Sequence, residues 1–336
     1  MDMLATPRRR CQALAAHEYA TLFWVAPPLA VLALANVLFE LVGYGYAPVA
    51  TALAAAETAP ASLTGNVSPH RAAVGWGAAA LLYLVVGAGA AVAAWRMLSS
   101  RVTRQARRPF EALAVAITVL GLGHLLAVDA LDRPLSAIFH VTHEALAAQE
   151  ILPSRHMACV ALVVGTINVM SVLVPALLLA AAAATGLPPL DGWNATTLTR
   201  RARQVREFVA IAAAFMVAGV VHMGAWTHWA AATLTENTHQ AALQQLATGI
   251  TLYWGTTFTL MIASFYLPMA AVLSGLAANT MNALDVKMDE RPAWLAAHGL
   301  SFQIHTQLPQ IAAMAAPLLA GPLATAIRAT TEHAPF

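Results

Sequence analysis

The sequence predicts an all-α fold, a polytopic helical membrane bundle of about six transmembrane helices followed by an apolar C-terminal interfacial or re-entrant segment. Three observations carry this. Of 336 residues 59% are hydrophobic and only 10% are charged, whereas a soluble domain carries roughly 25% charged residues. Aromatic residues are 7% of the chain and the apolar mass is mostly Ala, Leu and Val, a composition suited to helices in lipid rather than to strands of a closed barrel. The apolar residues also fall in runs of ~20 with few charges, each long enough to cover a ~30 Å hydrocarbon layer at 1.5 Å per residue.

Six such runs are expected to span, over residues 19–43, 73–95, 110–131, 157–185, 208–232 and 247–280. The fourth and sixth are long enough to tilt or to emerge beyond the bilayer. The stretch 308–327 is apolar but holds Pro309, Pro317 and Pro322, and its uncharged core is at the short limit for a span. It is therefore read as an interfacial or re-entrant segment packed on the bundle, in preference to a seventh span, which would place Arg328 and His333 outside. The domain reading is a six-span bundle over 1–280 and a cytoplasmic linker with the apolar segment over 281–336.

Orientation follows from the basic residues, because cytoplasmic connections retain Lys and Arg. The N-terminal segment (Arg8, Arg9, Arg10), the connections at 96–109 and 186–207, and the tail hold fifteen of the eighteen; Arg71, Arg133 and Arg155 are the other three. Both termini are thus expected in the cytoplasm. Trp76, Trp226, Trp229, Tyr253 and Trp254, with Tyr44 and Tyr46, fall at the expected outer ends, while Trp24 and Trp95 fall at inner ones, as interfacial aromatic belts require. The first span carries an Ala33-Leu34-Ala35 triplet of signal-peptidase form, but the preceding basic region is long and Pro27-Pro28 interrupts the apolar run, which argues for a retained span. Seventeen Arg against the single Lys287, with the richness in Ala and Gly, suggests a GC-rich bacterial source, hence the bacterial inner membrane.

The bilayer is the partner this composition demands, and a net charge of +2 implies no nucleic acid. Cys11 and Cys159 make no disulfide framework. No phosphate loop, dinucleotide glycine pattern or nucleophile motif is present. The glycines at 75, 77, 87 and 89 are expected to permit close helix packing. Spans three and four weakly echo spans five and six, each pair with an entry Glu (Glu111, Glu207), a later His, a Gly-Thr pair and a proline. Asn168 and Ser171 precede Pro175, and Thr257 and Ser264 precede Pro268, so hydroxyls stand where proline frees backbone carbonyls. They either repair the helix or mark a pair of broken helices lining a polar path.

Ionisable groups within spans cost roughly 2.5–3.5 kcal/mol on insertion scales and so become candidates for function. They are Glu40, His124, Asp129, His222 and His228, all toward the outer side. With His70, His140, His143, His156 and His239 in the outer connections, eight of twelve histidines gather there. On a short helix His140, His143 and Glu144 share a face and form a candidate metal site. His222, Trp226 and Trp229 lie on one face of the fifth span, which is expected to meet His124 of the third, with Glu40 or Asp129 nearby. Two histidines at similar depth on neighbouring helices are also what haem b ligation needs. Three functions follow: a transporter or channel for a proton or small cation, a redox or metal-dependent subunit with haem or a transition metal on the outer histidines, or a protein working through assembly as a homo-oligomer or membrane complex.

Overall fold

The computed structural model describes residues 21–43, 68–101, 104–130, 136, 140, 142–143, 145–147, 152–187, 193–234, 237–301 and 304–332. A short 3-10 turn, Phe23–Val25, leads into α1 (Ala26–Gly43). There follow α2 (Ser68–Arg101), α3 (Arg104–Ala130), α4 (Ser154–Thr185), α5 (Ala195–Thr233), α6 (Asn237–Ala283), the short α7 (Arg291–Ala297) and α8 (Ile304–Glu332). No strand occurs among the described residues. Helices α1 to α6 are long and apolar enough to cross a membrane, and each coincides with an expected span. The expected sites at Arg8 to Arg10, Cys11, Tyr44, Tyr46, Arg133 and Glu144 lie outside the described residues, as does the side chain of Asp129.

The helix α5 is the hub. It packs on α2, α4, α6 and α8, while α1 lies chiefly on α6 and α3 on α4. Of its most apolar window 56% is buried, against 11% for α3. The sequence explains this, since Ala212, Ala213, Ala218 and Ala225 alternate with Phe208, Phe215, Trp226 and Trp229. Without a hydrophobic force between helices in lipid, small residues that admit a neighbouring backbone, set beside large rings that fill its gaps, give the packing its strength. The start of α5 is fixed by a capping box: Thr197 N donates to Asn194 Oδ1 at 2.9 Å and Asn194 N to Thr197 Oγ1 at 3.0 Å.

Neither Pro175 nor Pro268 breaks its helix; α4 and α6 run continuously through them. Ser171 donates to Asn168 O at 2.7 Å, Ser264 to Met261 O at 2.8 Å and Thr257 to Tyr253 O at 3.0 Å. These carbonyls precede the ones the prolines free, so the hydroxyls are satisfied locally. Only one of the four α2 glycines is at a close crossing. A side chain at Gly87 would meet Met170 and Phe215, whereas Gly75, Gly77 and Gly89 face open space.

The C-terminal helix lies lengthwise on α5 and α6. Its contacts run antiparallel to α6: Tyr266 Oη donates to Gln307 Oε1, Gly255 abuts Pro317, and Gly321 abuts Thr251. The connection before it is built, not loose. Arg291 donates to Asn282 Oδ1 at 2.6 Å and to Val286 O at 3.3 Å, Gly299 turns the chain at φ +62°, and Arg206 of α5 donates to the Gly299 carbonyl.

Candidate functional site

The helices α2 and α5 cross antiparallel with aromatic faces opposed. Tyr83 lies against Gly219 and its ring meets that of Phe215 at a tilt of 42° and a centroid distance of 5.0 Å. One end further, Trp76 meets Trp226 at 5.3 Å and Trp229 at 5.2 Å. Between these two groups sits His222, 5.8 Å from the Tyr83 ring and 6.4 Å from the Trp76 ring. At 5% exposure it is the one histidine buried among the described residues.

Its polar partner is Trp76, whose Nε1 donates to His222 Nε2 at 3.2 Å. An indole nitrogen only donates, so Nε2 carries its lone pair and the proton of the neutral ring resides on Nδ1. Protonation at Nε2 would set one N–H against another and end the bond. The pair is thus two-state in a chemical sense: bonded with a neutral imidazole and unbonded with an imidazolium. The same geometry bears on haem, because Nε2 already accepts a hydrogen bond and the ring is enclosed by Trp76 and Tyr83. A further strut reaches the cluster from the connection between α3 and α4, where buried Thr142 donates to Trp226 O at 3.0 Å. The indole nitrogens of Trp226 and Trp229 are buried and find no acceptor among the described residues.

The expected meeting of His222 with His124 does not occur. His124 is exposed on α3, which packs on α4, and it is α2 that takes the face of α5 bearing His222. The reason is steric, since Trp76 and Tyr83, seven residues apart on α2, pack their rings against that face. Glu40 and His228 are half-buried and engaged within the chain. Of the candidate metal donors, His140 is half-buried and His143 exposed, and no group of three His, Cys, Asp or Glu side chains converges among the described residues. His70 and His156 are exposed, as is the free Cys159.

Trp76 and Tyr83 are the residues that sequence reasoning missed as site members. The signal was present in their seven-residue spacing, two helical turns on one face, flanking the small pair Ala79 and Ala80. At the other end of the bundle, Arg201 is buried, with Nη1 donating to Gln204 Oε1 at 3.1 Å and Nη2 to Leu187 O at 3.0 Å. One member of the Arg cluster therefore serves to close the end of α4 rather than to meet lipid. Arg107 pairs with Glu111 at 2.6 Å and lies 5.2 Å over the Trp95 ring.

Comparison with protein-family models, with curated proteins and with solved structures found no match for this chain.

Proposed function

We propose that this multi-pass membrane protein is a bacterial inner-membrane transporter or channel for a proton or small cation, with His222 as its proton-responsive group. The single observation that supports this is the buried Trp76–His222 hydrogen bond on the hub helix. An imidazole enclosed by apolar rings at membrane depth costs free energy that a Leu or Phe would not, and the bond it makes is one that a change in its own protonation breaks. Because α5 touches α2, α4, α6 and α8, a change at that bond reaches most of the bundle. In this reading the N terminus and the 96–109 and 186–207 connections are cytoplasmic, and Glu40, Asp129 and His228 supply polarity on the outer side.

The test is reconstitution into vesicles with a trapped pH-sensitive dye. Proton or cation flux above that of empty vesicles is expected, and it should vary with pH as the imidazole changes charge. His222→Gln, which retains an acceptor but carries no titrating ring, should flatten the pH profile while the protein stays folded. Flux equal to that of empty vesicles at every pH would sink the reading.

A further inference from the structure

We propose that α8 is a seventh membrane crossing, so that the C-terminal end of the chain emerges on the side opposite to the 284–303 connection. The depth of α8 can be read from its neighbours. Phe208 of α5 packs on Phe265 of α6 at 4.8 Å, directly beside the Arg200–Arg206 cluster that ends the apolar part of α5. Tyr266 at this level holds Gln307. At the far end, Gly224 of α5 faces Thr251 of α6, two residues before Trp226 of the outer aromatic cluster. Thr251 in turn faces Gly321. From Gln307 to Gly321 the helix therefore rises from the Arg level almost to the Trp level, about 21 Å at 1.5 Å per residue. It continues to Glu332, for about 38 Å in all, against a hydrocarbon thickness of about 30 Å.

A re-entrant segment has to turn back within the bilayer, whereas α8 is continuous despite Pro309, Pro317 and Pro322. Its charges fit a crossing as well. No Asp, Glu, Lys or Arg occurs from Ile304 to Ile327, and Arg328 and Glu332 mark the far end. The contact with α6 is of the kind that holds helices together in lipid. A Cβ on Gly255 would stand 2.5 Å from the Pro317 carbonyl oxygen, and one on Gly321 would stand 2.8 Å from Thr251 Oγ1, so each glycine admits the other helix. At the inner end Gln307 uses both sides of its amide, Nε2 donating to Ser301 O at 2.8 Å while Oε1 accepts from Tyr266; Gln310 Oε1, one turn on, is buried and finds no donor among the described residues. Placing Arg328 on the outer side changes the basic split from fifteen against three to fourteen against four, which the cytoplasmic bias of Arg tolerates readily.

The experiment labels full-length protein in intact cells with a membrane-impermeant maleimide. Cys11→Ser and Cys159→Ala remove the native thiols, and one cysteine is restored either by Met288→Cys, at a residue 75% exposed, or by appending it after Phe336. The two should label from opposite sides, one in intact cells and the other only once the membrane is permeabilised. Labelling of both under the same condition would overturn the proposal. So would an appended cysteine that reacts only in detergent, because the end of the chain would then lie within the bilayer.

Discussion

At His222 a single neighbour decides the chemistry. Trp76 supplies the donor and thereby fixes the tautomer, and the rings of Trp76 and Tyr83 against the buried imidazole exclude the water that would otherwise compete for Nε2. Trp76→Phe keeps a ring in place but leaves the Nε2 lone pair buried and unsatisfied, at an expected cost of about 1–3 kcal/mol. His222→Gln should be milder, because its amide carbonyl can still accept from the Trp76 indole. His222→Ala should be the most costly of the three, adding a void beside Trp76 and Tyr83 to the lost bond. Thermal unfolding in detergent ranks them, and a Trp76→Phe midpoint equal to that of the wild type would show that the bond contributes no stability.

Among the helices, the seams differ in what they can absorb. Gly255→Leu drives a side chain into the backbone of α8 at Pro317 and Leu318, and overpacking of that kind costs about 1–3 kcal/mol. Gly275→Ala on the same helix meets nothing within 4 Å and should stabilise by up to about 1 kcal/mol through helix propensity alone. Equal melting points for the two variants would mean that α8 is not seated in that groove. Asn194→Ala removes the cap of α5 and should cost about 0.5–2 kcal/mol in the same assay. The six spans were legible in the sequence because a crossing helix announces itself by length and charge alone, with no knowledge of its partners. The seating of α8 was less so, since three prolines read as helix breakers, and only the Gly255 and Gly321 contacts show how close packing against α6 accommodates them. The site is half legible: helical spacing puts His222, Trp226 and Trp229 on one face, but the helix facing them is α2 and not the third span. Periodicity gives the direction of a face and says nothing of which neighbour fills it, and a Trp near a span end such as Trp76 has the same sequence signature whether it lies at an interface or in a helix seam.

For the molecule as a whole, the bundle has an aromatic end and an arginine end. Trp76, Trp226 and Trp229 gather at one, and Arg96, Arg107, Arg201 and Arg206 at the other. A bilayer with an anionic cytoplasmic leaflet would favour the arginine end on that side, because each Lys or Arg near that surface gains on the order of 1 kcal/mol. Residues on exposed positions at the two ends provide the test without disturbing the core. His70→Cys and His156→Cys lie on exposed turns at the aromatic end, and Arg203→Cys is 73% exposed at the arginine end. In the thiol-free background, the first two should react with an impermeant maleimide in intact cells and the third only after permeabilisation. Losing Arg203 removes one basic residue and leaves Arg200, Arg201 and Arg206 of its cluster, too small a change to invert the chain. Reaction of Arg203→Cys from outside would reverse the orientation, moving the His222 cluster to the cytoplasmic half and with it the side from which protons reach that imidazole.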